Sequence, residues 1–142
     1  MKHITKVFGL CCILFAFFSQ AELEIYKDYD IGSEITSMTT VRVDPNMEDI
    51  YLEGLRESWV KAVRLQKKLG YIKDWKIYGS ELPQSGEFNL VLLVIFENSR
   101  DLEPNQEKYN TFMKSWGKAN QENSREVTKT YPNVRTLTGE YR

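Results

Sequence analysis

The 142 residues include 42% hydrophobic and 27% charged side chains and carry a formal net charge of −1, enough chain for one hydrophobic core and too little for two. The 19 basic and 20 acidic residues are interleaved. That argues against a nucleic-acid surface or a basic membrane-surface helix, since both need a surplus of Lys and Arg on one face.

Residues 1–21 read as a signal peptide. Lys2 and Lys6 give a basic start, residues 7–18 form an apolar run, and Ser19-Gln20-Ala21 supplies the small residues that suit cleavage after Ala21. About twelve apolar residues make roughly 18 Å of helix, short of a hydrocarbon core of roughly 30 Å, so the run is not expected to remain as an anchor. A lipid-modified export signal needs a cysteine at the cut, whereas Cys11 and Cys12 lie inside the run and Glu22 follows Ala21. The expected location is therefore periplasmic or extracellular, with no membrane association after cleavage.

Cleavage removes His3 and both cysteines. A mature chain without imidazole or thiol has no ligands for the usual zinc, copper or haem sites, no histidine base for a nucleophilic triad, and no disulfide framework. No metal and no cofactor is expected. With two basic residues and no acidic ones lost, the net charge falls to about −3.

Residues 22–34 are polar, with Asp28, Asp30 and Gly32 and no sustained period, and read as a leader segment before a folded domain over 35–142. Residues 36–43, rich in Thr and Val, form the first expected strand. Asp44-Pro45-Asn46 ends it and opens a helix over 47–69, with Glu48 and Asp49 at the positive end of its dipole. Leu52, Leu55, Trp59, Ala62, Val63 and Leu69 recur at three and four residues as one apolar stripe, and Gly70 is suited to stop the helix.

A second strand is expected over 71–78, with Trp75 and Ile77 alternating with Lys76 and Tyr78. A turn through Gly79, Ser80 and residues 83–86 then leads to the strand 88–96, apolar on both faces apart from Asn89 and therefore central in a sheet. After a polar loop over 97–104, a helix over 105–120 carries Tyr109, Phe112, Met113 and Trp116 on one stripe, with room for a further turn. Residues 134–142 form the last strand. The order β-α-β-β-α-β predicts an α+β, ferredoxin-like fold: a four-stranded antiparallel sheet with two helices on one face. An internal echo supports two βα halves, since residues 57–62 (Glu-Ser-Trp-Val-Lys-Ala) resemble residues 114–119 (Lys-Ser-Trp-Gly-Lys-Ala).

Residues 41–49, Val-Arg-Val-Asp-Pro-Asn-Met-Glu-Asp, lead into a helix centred on Trp59, and Gly70 then precedes Trp75-Lys76-Ile77-Tyr78. This pattern resembles the dimeric α/β-barrel superfamily, which includes stress-responsive barrel proteins and cofactor-free antibiotic-biosynthesis monooxygenases. The likeness, one of pattern and element order, runs over 36–142. It implies a homodimer formed sheet to sheet, with small ligands bound between each sheet and its own helices. The dimer has independent physical support, because two helices cover one sheet face and the strand 88–96 is apolar on both.

Haem-binding members of that superfamily use a histidine, which the mature chain lacks. The expected function is that of an exported protein binding a small apolar or aromatic ligand, or a partner protein, without catalysis. The alternatives are a cofactor-independent monooxygenase acting on an aromatic substrate and a structural or assembly module. Trp59, Trp75, Tyr78 and Trp116 are the candidate lining residues, with Arg42 or Arg56 positioned to stabilise a deprotonated phenol. No catalytic residue is assigned. The Ser58-x-x-Lys61 and Ser115-x-x-Lys118 spacings match the Ser-Lys pair of penicillin-binding enzymes, but the companion motifs are missing and polar residues three apart on a helix are ordinary.

Overall fold

A computed structural model describes residues 23–80 and 86–142. The expected signal peptide and the Pro83 part of the expected turn lie outside the described residues. Residues 23–31 belong to a unit separate from the one that begins at Gly32. Within them, Ile25 bridges Tyr29 across a tight turn in which Tyr26 takes a φ of 66° and Lys27 pairs with Glu24.

Strand β1 (Ile35–Val43) is central. It pairs antiparallel with β3 (Leu90–Phe96) on one side and β4 (Arg135–Tyr141) on the other, and β2 (Asp74–Gly79) pairs with β3 at the edge. The order β2-β3-β1-β4 is that of the ferredoxin-like fold, as the element order implies. Between Thr40 and Val41 the register to β4 shifts by one residue, a bulge spanned by the Thr138 hydroxyl, 2.8 Å from that of Thr40.

Alternation along the strands sorts the two faces. Val41, Val43, Leu90 and Leu92 point to the helices and join Tyr51, Leu55, Tyr131 and Val134 in the core. On the opposite face Met38 stands across from Leu93 and Thr40 from Val91. Met38, Val91, Leu93 and Ile95 are only half-buried there, because the chain's own two helices lie on the other side.

The lone amide in the apolar strand has a structural task. Asn89 Oδ1 accepts from the Val43 amide at 2.8 Å and Asn89 Nδ2 donates to the Val43 carbonyl at 2.9 Å, so the side chain completes the sheet where β1 runs out of a backbone partner. Asn89→Ala is expected to lower the unfolding free energy by about 1–3 kcal/mol by stranding both groups. Asn89→Asp, which sets a carboxylate against the carbonyl, should cost at least as much. Urea midpoints of the two variants test this.

Helix α1 spans residues 48–68 in three parts: α-helical Glu48–Leu55, a π-turn Arg56–Val60, and α-helical Lys61–Lys68. Gly70, at a φ of 73°, ends it while the Tyr71 amide donates back to the Gln66 carbonyl at 2.9 Å. The apolar stripe departs from the sequence expectation here. Tyr51 and Leu55 are each 2% exposed, whereas Leu52 is 41% exposed. In an unbroken helix Leu52 falls within about 20° of Trp59, and Tyr51 about 80° away. The π-turn inserts one extra residue and moves Tyr51 into the place Leu52 would hold.

Helix α2 (Gln106–Lys129) runs nine residues beyond the expected end at 120 and is broken at Gly117, whose φ of 74° and ψ of 165° are open to glycine and strained for other residues. Asn105, counted from the sequence as its first residue, instead caps it, the side chain accepting from the Lys108 amide at 2.8 Å. Beside the break, Asn120 Nδ2 donates to the Trp116 carbonyl at 2.7 Å. Residues 118–129 carry few apolar side chains, so no stripe announces this second half. Val127 packs against the core cluster. A short turn, Tyr131–Asn133, then leads into β4.

Candidate functional site

Between the helix-facing side of the sheet and the two helices lies a cavity of about 490 Å³, within the range of roughly 300–1,000 Å³ usual for small-molecule pockets. Its position follows from the break in α2. Phe112 and Trp116, before Gly117, and Ser124 and Thr128, after it, all line the cavity, with Trp59 of α1 and Leu92 of β3 among the other walls. A straight α2 does not present both halves to the sheet in this way.

The aromatic wall is ordered by mutual contacts. Phe112 stacks on Trp116 with ring centroids 5.7 Å apart and planes 17° from parallel, and Trp59 meets Trp75 edge-on at 5.7 Å and 89°. Arg64 covers Trp75 at 5.9 Å from its ring centroid.

At the other end the lining turns polar. Ser58 Oγ lies 2.8 Å from the Gly54 carbonyl, to which it donates, and 2.8 Å from the Tyr131 hydroxyl. Tyr131 packs edge-on against Tyr51 at 5.0 Å, and the Arg135 guanidinium sits over the Tyr131 ring at 5.2 Å. Burial pushes the Tyr51 phenol up from its ordinary value, opposed by the charge of Arg135 and a hydrogen bond from it. Burial also raises the Tyr131 phenol, against the hydrogen bond to Ser58 and the charge of Arg135. Both rings therefore stay protonated at neutral pH.

Of the residues singled out from sequence, Trp59 and Trp116 line the cavity. Trp75 stands behind Trp59 as a supporting contact. Tyr78 does not join them: it lies three positions along β2 from Trp75 and so projects from the other side of the sheet, 52% exposed. Arg42 is exposed between the helix-facing Val41 and Val43 and points away for the same reason. Arg56 is on the solvent side of α1, paired with Glu53 and Glu57. The cation facing the cavity is Arg135, which sequence reasoning missed along with Tyr51, Ser58, Ser124 and Tyr131. A basic residue opening a terminal strand reads as solvated, and only the pairing of Arg135 with the helix-facing Val43 places it.

A second hollow of about 340 Å³ lies beyond Phe112, with Tyr71, Lys108 and Met113 among its walls; there Lys108 pairs with Asp101 and covers Tyr71. Among the described residues no cluster of three or more His, Cys, Asp or Glu could hold a metal ion, and no helix is long and apolar enough to cross a membrane.

No family model matches this chain, and no curated protein does. Solved structures show loose likenesses. HapK from Hahella chejuensis aligns at a TM-score of 0.44 and 9% identity, over 76% of this chain and 88% of its own. A dimeric protein of unknown function and ferredoxin-like fold from Bacteroides fragilis aligns at 0.44 and 13%, over 80% and 99%. An ethyl tert-butyl ether d (ethd) family protein from Bacillus halodurans aligns at 0.38 and 14%, over 75% and 98%. At this distance they carry nothing about ligand or activity, and the fold assignment rests on strand order.

Proposed function

We propose that this chain is an exported member of the dimeric α/β-barrel superfamily that works as a homodimer. In this reading it binds a small aromatic ligand between its sheet and its helices, without cofactor and without catalysis. The observation that carries the reading is the cavity walled by Trp59, Phe112 and Trp116: flat rings offer a large apolar contact at little entropic cost. The half-buried Met38, Val91, Leu93 and Ile95 on the far face support the dimer, since an apolar centre with Arg42, Lys76 and Tyr78 around it has the anatomy of a protein interface.

Binding is preferred to oxygenation of a phenolic substrate because neither an imidazole nor a carboxylate lines the cavity among the described residues, and its two tyrosines hold their protons. No group there is suited to take a phenolic proton. Oxygen uptake with a panel of quinols separates the two readings.

Titration of a neutral bicyclic aromatic, naphthamide, into the full chain is expected to quench tryptophan fluorescence. Trp59→Ala or Trp116→Ala should weaken the affinity roughly ten- to a hundredfold by removing an aromatic wall, whereas Tyr78→Ala should leave it unchanged. Unmoved fluorescence across a series of aromatic probes, together with protein that leaves its native source empty by native mass spectrometry, would overturn the reading.

A further inference from the structure

The polar end of the cavity is unbalanced. Arg135 brings a full positive charge, and no Asp or Glu lines the cavity among the described residues. The Tyr131 ring face offsets part of the charge. The guanidinium donates a hydrogen bond to Tyr51, yet Arg135 Nε is buried with no partner, and Ser124 Oγ on α2, which lines the same cavity, is likewise buried and unpartnered. Buried polar atoms are ordinarily satisfied, even on a side chain that is only half-buried as Arg135 is. Two unpartnered polar atoms lining one cavity, one of them on a cation, describe a place for an acceptor-rich, negatively charged group.

We infer that this cavity takes an aromatic carboxylate, its acid group on Arg135 within reach of the Ser124 side of the wall and its ring against Trp59, Phe112 and Trp116.

Three features select this class. A carboxylate has two acceptor oxygens, which suits the planar donor fork of arginine and the hydroxyl donors nearby. Tyr51, protonated and accepting from Arg135, keeps its own hydrogen as a further donor and adds no competing charge, while Tyr131 spends its hydrogen on Ser58. A phosphate brings up to two negative charges to a site with one cation, and the remaining apolar wall gives the second charge no partner. A neutral aromatic satisfies the rings but leaves Arg135 as it is.

The inference rests on the aromatic-binding reading above, and its test separates the two. Naphthoate and its neutral isostere naphthamide are titrated into the full chain by isothermal calorimetry. The acid is expected to bind roughly ten- to a hundredfold more tightly than the amide, the range of a charge-assisted hydrogen bond. In Arg135→Gln that preference should vanish while the amide's affinity changes less than about threefold, and Arg135→Lys should restore part of it by charge alone. Thermal melts of both variants verify that they are folded. If Arg135→Gln does not fold, Ser124→Ala must still weaken the acid more than the amide. Equal affinities for acid and amide in the unaltered protein would overturn the inference and leave the aromatic site standing. Binding of neither compound would overturn both.

Discussion

Leu55→Ala is expected to lower the unfolding free energy by about 2–5 kcal/mol and the melting temperature by roughly 10–20 °C, while Leu52→Ala changes stability by about 0.5 kcal/mol or less. Both leucines sit on the apolar stripe read from the sequence, so the stripe alone predicts comparable costs. In the structure Leu55 is buried among Val41, Val43, Leu90 and Leu92, and Leu52 is exposed. The difference comes from the π-turn at Arg56–Val60, which rotates the N-terminal part of α1 by one residue relative to the rest. Urea unfolding of the two variants checks it. A Leu52→Ala loss as large as that of Leu55→Ala would mean that the helix is regular and that Tyr51 is not the core residue. Leu55 also lines the cavity, so its truncation should enlarge the site and disturb ligand affinity at temperatures where the fold persists.

The second large effect concerns the proposed dimer. Leu93→Arg places a charge at the centre of the far sheet face, next to Met38 and between Val91 and Ile95. An unpaired charge buried in an interface costs about 3–5 kcal/mol, so the dimer dissociation constant should rise roughly a hundred- to thousandfold. The isolated chain should tolerate the change, because Leu93 is only half-buried within it. Sedimentation equilibrium is expected to show a monomer at concentrations where the unaltered protein is a dimer, with the circular dichroism spectrum preserved. An unaltered protein that is itself monomeric at high concentration removes the interface and the kinship claimed through it.

The site couples to the fold through two local irregularities. The π-turn brings Ser58 to Tyr131 and Tyr51 under the helix, and the break at Gly117 splits α2 into two walls. Each is a departure from regular helix at a place where the cavity needs side chains from both sides, which is where such departures recur in proteins. Neither leaves a mark in a hydrophobic pattern. The glycine at 117 sits in the echo of the first helix, at the position where Val60 stands in α1, and the echo makes it look like a tolerated substitution.

Periodicity, turn chemistry and the apolar strand ending in Phe96 were sufficient by themselves to determine the four strands, the two long helices and their order, though not the short turns Ser99–Leu102 and Tyr131–Asn133. From that order follows the antiparallel sheet with both helices on one face. These features rest on local preferences and on the need to bury one face of each element, and both are written in residue spacing. Trp59 and Trp116 were legible as inward-facing for the same reason. The side chains completing the cavity were decided only by tertiary structure. Arg135 faces inward because its register with Val43 sets its side of the sheet, and Tyr51 does so because an extra residue in a helical turn shifts every position before it. Tyr78, Arg42 and Arg56 are of the right chemical type, but strand parity and helix phase carry them away from the cavity. Residue type is local, whereas convergence on a point depends on how separate elements are placed, and single-residue shifts in register or helical phase are enough to exchange a buried group for an exposed one.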